Sequence, residues 1–297
     1  MADVIVDIAG LNKTFGELSA VRDVSLSVER GEIFGLLGPD GAGKTTMMRM
    51  LAGIMPPTSG NMLITGKKVD EVKTTIGYMP QRFSLYGDLT VEENLLFTAS
   101  LYGIPDADRI SAENELLEFS RLAPFRKRLA RNLSGGMKQK LALSCTLIHT
   151  PQLLLLDEPT TGVDPISRRE LWKILYSLPA KGVTIIISTP YMDEAERCNR
   201  IAFINKGEIV RVGTPDELKN DAGNYLLEIE VDNARRISPQ IAVLPGILDV
   251  QIFGDKLHVS SLDIDNAEKA VRNITGEKAI INRIPPTLED AFIRLAK

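Results

Sequence analysis

No stretch of this sequence reaches the ~18 consecutive apolar residues that a membrane-spanning helix needs. Any work at a membrane must therefore go through another polypeptide. Cysteine is scarce. Cys145 and Cys198 have neither metal-ligand spacing nor the pattern of a disulfide framework, so they are expected to be buried, inert thiols of a reducing compartment. Positive charge is not in excess: 35 Lys and Arg stand against 39 Asp and Glu, a net charge of −4. That leaves no general basic field for a nucleic-acid partner. Met1-Ala2-Asp3-Val4 has an acid at the third position and no basic region, unlike a secretory signal. Neither a solenoid-length repeat nor a low-complexity segment is present. Histidine occurs twice, as His149 and His258.

The 297 residues can form two domains of about 150 residues each. Hydrophobic (44%) and charged (25%) fractions are ordinary for a globular chain and sufficient for a proper core. Residues 4–8 and 24–28 alternate apolar with polar, as half-buried antiparallel strands do. Residues 32–37 form a short apolar run before a Gly-rich loop. A helical spacing over 44–54 follows, with Met47, Met50, Leu51 and Ile54 on one face. Helices are predicted over 91–102 and 110–122, broken by Gly103-Ile104-Pro105, and over 137–148 with Ser134 as its cap. The all-apolar runs 153–156 and 183–187 read as buried parallel strands. The segment 165–178 between them reads as a crossover helix with proline in its first turn. Residues 200–212 predict a hairpin turning at Asn205-Lys206-Gly207.

Composition shifts over 213–224, where Gly, Pro, Asp and Asn concentrate. The boundary is expected there, giving domains 1–218 and 219–297. Beyond it the order is strand (225–231), helix (234–243), two strands (248–253 and 257–260), helix (266–274), strand (279–284) and a last helix (288–295). This βαββαβ order is ferredoxin-like. In the last helix Leu288, Ala291, Phe292 and Leu295 share a face, and Thr287 with Asp290 forms a capping-box pattern.

Gly38-Pro39-Asp40-Gly41-Ala42-Gly43-Lys44-Thr45, continued by Thr46, matches G-x-x-x-x-G-K-[ST]. Glycines let the backbone curl so that successive N–H groups converge on phosphate oxygens, and the following helix directs its positive end at the same anions. Lys44 can reach the β- and γ-phosphates, and the Thr45 hydroxyl can ligate Mg²⁺. The bland alternative is a Gly-rich turn with a chance lysine, against which the strand before and the helix after both count. Asp157, ending the run Leu153-Leu154-Leu155-Leu156, can hold Mg²⁺ through its water shell. Glu158 projects differently and is placed to polarise an attacking water. Alone, such a pair is as readily a helix cap or surface charge. Behind a phosphate loop the catalytic reading is stronger.

Leu133-Ser134-Gly135-Gly136-Met137-Lys138-Gln139, followed closely by the apolar run and Asp157-Glu158, resembles the ATPase subunit of ATP-binding-cassette (ABC) transporters. By itself Ser-Gly-Gly is a helix cap with flexible glycines. The resemblance covers residues 1 to about 216. It implies an α/β P-loop fold with a helical insertion and an antiparallel β subdomain. It also implies that Ser134, Gly135, Gly136 and Gln139 act on the ATP of a second cassette, homo- or heterodimeric. Gln81, after Gly77-Tyr78-Met79-Pro80, takes the place of the glutamine that senses Mg²⁺ and the γ-phosphate. The nearby residues 83–86 then face a transmembrane permease subunit. Asp164, in Thr161-Gly162-Val163-Asp164-Pro165, matches the aspartate at the dimer interface. Phe15, in Lys13-Thr14-Phe15-Gly16, matches the ring that stacks on adenine, with a core phenylalanine as the alternative. The tail, ending Pro285-Pro286-Thr287-Leu288-Glu289-Asp290-Ala291-Phe292, resembles the small C-terminal domain of drug and antibiotic exporters. The resemblance thus implies an MgATP-hydrolysing export subunit, peripheral on the cytoplasmic face of the inner (plasma) membrane.

One position departs from the pattern. Where the family has a histidine, Ser188-Thr189-Pro190-Tyr191 places Pro190, which offers no side-chain donor and no backbone N–H. Loss of one transition-state donor costs roughly 10²–10³ in turnover, so ATP binding is expected to survive and hydrolysis to be slow. Two further readings stay open: a regulatory cassette paired with a more active one, and a soluble ABC-type ATPase. The long coiled coil or paired cassettes with a basic linker that mark the soluble members are missing. The run Asp193-Glu194-Ala195-Glu196-Arg197 reads as a solvated helix face, and Arg126-Lys127-Arg128 with Arg131 as solvated surface.

Overall fold

A computed structural model describes residues 3–82, 85–221, 226–276 and 279–295. The chain forms two compact units, Met1–Ile209 and Val210–Lys297.

The first unit opens with two long strands, β1 (Val4–Phe15) and β2 (Leu18–Glu29), then β3 (Ile33–Leu37) and helix α1 (Lys44–Leu51). β4 (Ser59–Ile64), β5 (Lys67–Lys68), the short helix α2 (Val69–Val72) and β6 (Ile76–Met79) follow. Helices α3 (Val91–Leu101), α4 (Asp106–Phe119) and α5 (Gly135–Leu147) precede β7 (Leu153–Asp157), α6 (Pro165–Ser177), β8 (Thr184–Thr189), α7 (Met192–Ala195) and β9 (Arg200–Asn205). β10 (Glu208–Gly213) forms the hairpin with β9 at the turn expected from Lys206-Gly207. The two opening strands run much longer than their alternating cores predict, because register shifts let the ladder continue past Ile8 and carry it to Phe15. The strands β4, β5 and β6 carry no pattern strong enough to announce them in the sequence.

Strands β2-β1-β4-β5 make one antiparallel sheet, and β10-β9-β3-β8-β7-β6 the second. The second is parallel from β9 to β6. Its central strands are buried on both faces, which is why β3, β7 and β8 read as continuous apolar runs. The helices between β6 and β7 have their own core, including Val91, Leu95, Leu117, Leu141 and Cys145. Burial pushes the Cys145 thiol up to about 12. It also raises that of Cys198, so both cysteines are the inert thiols expected. Ser134 caps α5 as anticipated, its hydroxyl accepting from the Met137 N–H at 3.3 Å. Gly136 is held to glycine by packing: a Cβ there would fall 2.3 Å from Ser167 Oγ on α6.

The second unit holds α8 (Pro215–Asn220), β11 (Leu226–Glu230), α9 (Ala234–Ala242), β12 (Ile247–Phe253), β13 (Lys256–Ser261), α10 (Ile264–Thr275), β14 (Ile280–Ile284) and α11 (Leu288–Leu295). This is the βαββαβ order of the sequence reading plus a final helix. Its sheet runs β12-β13-β11-β14, all antiparallel. Leu227, Ile229, Leu257 and Val259 pack with Ile241 of α9 and Val271 of α10. Tyr225, the expected first residue of β11, lies outside the described residues. Thr287 and Asp290 form the capping box, with Asp290 Oδ2 accepting from the Thr287 N–H at 2.8 Å. The other oxygen of Asp290 lies 2.9 Å from His258 Nδ1, and Glu228 Oε2 lies 3.7 Å from His258 Nε2. The Asp290 hydrogen bond raises the His258 pKa above its usual value, although burial opposes it.

Gly136→Ala should therefore destabilise the first unit by about 1–3 kcal/mol through overpacking, measured by urea unfolding, and Ser167→Gly should relieve it. For His258, stabilisation by its charged form is complete below the unfolded pKa and is lost as pH rises through the raised folded value. The melting temperature of the second unit should thus fall as pH rises past the ordinary imidazole range and through the raised folded value, and His258→Gln should flatten that dependence. A pH-independent wild type would contradict the assignment.

Candidate functional site

Three strand ends meet at one level of the parallel sheet. Leu37 of β3 pairs with Thr189 of β8, and Ser188 of β8 pairs with Asp157 of β7. Whatever follows each strand therefore emerges side by side, at the carboxyl edge where ligands of open α/β sheets bind.

After β3 the chain curls through Gly38–Gly43 into α1. Gly41 and Gly43 take left-handed φ values of 77° and 105°. A Cβ at Gly43 would sit 2.5 Å from the Ala20 carbonyl, and one at Gly38 would sit 2.2 Å from that of Ile204. Only glycine fits either place. No side chain caps the start of α1, so its first-turn N–H groups stay available to an anion. The Lys44 ammonium is buried. It donates to the carbonyls of Gly38 and Pro39 at 2.8 and 3.0 Å, and lies 3.5 Å from Glu158 Oε1.

Asp157 and Glu158 are both buried, yet they are held differently. Asp157 Oδ1 accepts from Ser188 Oγ at 2.6 Å and Thr45 Oγ1 at 3.2 Å, while its buried Oδ2 has no hydrogen-bond partner among the described residues. Buried polar atoms are rarely left so. Carboxylate and hydroxyl oxygens with one acceptor spare fit a hard divalent cation or its water shell. Glu158 takes a left-handed φ of 48°, a strain of order 1–3 kcal/mol for a residue with a Cβ. Its N–H points at both the carbonyl and the hydroxyl of Ser188, each 3.1 Å away. Its carboxylate accepts from Gln81 Nε2 at 2.7 Å and Thr161 Oγ1 at 3.3 Å, beside Lys44.

These groups share a cavity of about 500 Å³. Phe15, Asp40, Gly41, Gly43, Lys44, Thr45, Thr46, Gln81 and Glu158 line it. Gly38, Pro39 and Ala42 shape the loop behind. Phe15 is 45% exposed with Lys13 Nζ 5.3 Å from its ring centroid, so it is not a core residue. Gly135 and Gln139 instead line a separate cavity of about 450 Å³, whose walls also include Gln81 and Thr161. None of Ser134, Gly135, Gly136 or Gln139 lines the cavity of the glycine loop. Asp164 caps α6, accepting from the N–H groups of Ser167 and Ile166 at 3.0 and 3.1 Å. The Ser167 amide holds its carboxyl below the usual range. Of the segment 83–86, Phe83 and Ser84 lie outside the described residues. Leu85 lines the second cavity, and the exposed Tyr86 sets its ring edge on Phe97 at 4.6 Å.

Pro190 and Tyr191 line the same cavity as Glu158, and neither histidine does. His149 stacks on Tyr102 at 3.8 Å, with Nε2 donating to the Ile76 carbonyl. Sequence reasoning missed Ser188 and Thr161, whose hydroxyls complete the carboxylate environment. The only signal for Ser188 was its place at the polar end of an apolar strand, and pairing with β7 was needed to use it. One expectation is corrected. Glu194 is not on a solvated face: it is fully buried, because Thr160 and Thr189 donate to its two oxygens and α7 turns it inward.

Comparison with known proteins agrees with this geometry. Residues 21–161 match the family described as ABC transporter. A probable multidrug ABC transporter ATP-binding protein, YbhF of Escherichia coli strain K12, is 42% identical over 304 residues, covering 99% of this chain and 52% of the relative. The chain thus spans about half the length of that relative. The Nod factor export ATP-binding protein I of Rhizobium sp. strain N33 is 38% identical over 301 residues, covering 99% of this chain and 98% of the relative. Among solved structures, an ATP-binding subunit of an ABC transporter superposes with TM-score 0.67 at 30% identity, over 74% of this chain and 93% of the other. The cassette MJ0796, solved as a dimer in a post-hydrolysis state bound to ADP and Pi, gives TM-score 0.64 at 26% identity, over 71% and 98%. The chain is a member of the ABC transporter ATP-binding family.

Proposed function

We propose that the chain binds and hydrolyses MgATP as one half of a head-to-tail pair of cassettes, and so drives export through separate transmembrane permease subunits. It works from the cytoplasmic face of the inner (plasma) membrane. Residues 1–218 are the ATP-binding domain, and residues 219–297 a ferredoxin-like accessory domain. One observation carries the reading: Asp157 and Glu158 stand side by side at the end of β7, contacted by Thr45, Lys44 and Gln81 around a glycine-walled cavity.

In this reading the loop amides and Lys44 hold the phosphates and Phe15 stacks on adenine, while Thr45, Asp157 and Gln81 would hold Mg²⁺, which would supply neutralisation of the negative charge on the phosphates. Glu158 accepts a proton from the attacking water as general base, and its alignment is kept by Gln81 and Thr161. Pro190 supplies no donor, so turnover at this site is slow. The absence of Ser134, Gly135 and Gly136 from the walls of the chain's own glycine-loop cavity supports their acting on the ATP of a second cassette. Among the described residues no helix is long and apolar enough to cross a membrane, which supports separate membrane subunits. A second reading, a mainly ATP-binding regulatory cassette paired with an active one, is favoured by Pro190 alone.

Glu158→Gln should lower turnover by about 10²–10⁴ while retaining ATP, so that light scattering detects an ATP-stabilised dimer. Normal hydrolysis by this variant would exclude Glu158 as the base. Pro190→His should raise turnover about tenfold or more by restoring a donor. An unchanged rate in the assembled pair would show that position 190 does not limit the reaction.

A further inference from the structure

We propose that Glu194 is a positioning residue for the Glu158 carboxylate, acting through Thr160 and Thr189. The inference rests on the ATPase reading above. Glu194 is absent from the walls of the glycine-loop cavity, so it acts at one remove. Its two oxygens accept from Thr160 Oγ1, two residues past Glu158, and from Thr189 Oγ1 at 2.8 Å, at the end of β8. All three residues are fully buried. Thr189 Oγ1 in turn accepts from the Tyr191 N–H at 3.1 Å. From α6, Arg168 lies 3.6 Å from Glu194, and its guanidinium stands over the Tyr191 ring at 4.9 Å. One carboxylate thus gathers the segment after β7, the end of β8, the loop at Pro190 and the helix that Asp164 begins.

An ionised carboxylate is a costly way to fill a core, and it persists where hydrogen bonds and a counter-charge offset its desolvation. An apolar side chain would fill the space equally well but could not grip two hydroxyls directionally. The strained φ of Glu158 gives the grip its purpose, since such strain holds only where the surroundings over-determine it. Upstream, Ser188 fixes the Glu158 N–H. Downstream, Pro159 has no N–H to offer, and Thr160 is the first side-chain anchor. With proline at 190, no side-chain donor from that residue reaches Glu158. Gln81 and Thr161 hold its carboxylate directly, and its backbone is held by Ser188 on one side and by the Thr160–Glu194 contact on the other.

The test uses the full chain and the variants Thr160→Val, Thr160→Ser, Glu194→Gln and Glu194→Ala. Turnover, affinity for a fluorescent ATP analogue, melting temperature and amide hydrogen exchange over 158–162 are measured for each. Thr160→Val should lower kcat by about 10- to 100-fold, the scale of a small misplacement of a reacting group. Analogue affinity should stay within about twofold, the 158–162 amides should exchange faster, and the melting temperature should fall by a few degrees at most, the cost of one donor lost to a buried carboxylate. Thr160→Ser should restore both turnover and protection, and Glu194→Gln should fall between wild type and Glu194→Ala. Wild-type turnover and unchanged exchange in Thr160→Val and Glu194→Ala would overturn the proposal. So would a parallel loss of kcat, affinity and melting temperature in Thr160→Val, which marks a merely structural contact. If the wild-type chain neither binds nor hydrolyses ATP, the ATPase reading fails, and the exchange measurement still decides whether Glu194 holds the Glu158 segment.

Discussion

Parallel pairing of β3, β8 and β7 sets the geometry of the whole candidate site. Each strand contributes one chemical element at its carboxyl end: the glycine loop, the Ser188-Thr189-Pro190 corner and the Asp157-Glu158 pair. The ladder sets them level. Because side chains alternate across a sheet, a slip of one residue would send Asp157 or Ser188 to the other face. Both faces of these strands are buried, so it is the close packing of their side chains against the layers on either side that holds the register. Core packing and site chemistry are in this sense one requirement.

The middle strand, β8, does more than separate the other two. Its Ser188 hydroxyl donates to Asp157 and also stands 3.1 Å from the Glu158 N–H, joining two neighbouring carboxylates that would otherwise repel. Repulsion is further countered by Lys44 at 3.5 Å from Glu158, and in a poorly solvated site such a contact counts for more than it would at the surface. A third buried carboxylate, Glu194, closes the same corner from behind. The polar atoms at the sheet edge thus form two sets of hydrogen bonds, one around Asp157 and Glu158 and one around Glu194, joined through the backbone of residues 158–160 and 188–189. Asp157 Oδ2 stands out within the first as an acceptor with no donor among the described residues.

The Ser134-Gly135-Gly136 turn illustrates how one residue serves two demands. Gly136 is needed for the close approach of α5 to Ser167 of α6, a packing reason independent of any ligand. Ser134 is an ordinary helix cap. Neither fact distinguishes this turn from many others. Its meaning comes from position: it opens a helix whose Gly135, Lys138 and Gln139 line a cavity that adjoins the one around Lys44 across Gln81 and Thr161. That placement is one support for the proposal that the turn serves the ATP of a second cassette.

The order of elements, the glycine loop, the carboxylate pair, the cap at Ser134 and the βαββαβ tail could all be read from the residues. Each is encoded locally, by helical or strand periodicity, by the φ freedom of glycine, or by a cap and its partner three residues on. The strands β4 and β6 could not, since their few residues lack a clear period and are made strands by the neighbours they pair with. Nor could the burial of Glu194: its neighbours Asp193 and Glu196 are charged, and a one-dimensional pattern cannot tell the residue that turns inward. Ser188 gained its place only when β8 lay between β3 and β7. Local residue patterns fix which chemical groups this protein carries and on which elements they stand. Which of them touch is set by the packed fold, because partners from 30 positions apart (Ser188 and Glu158) to 112 (Thr45 and Asp157) meet through strand order and register rather than through any local preference.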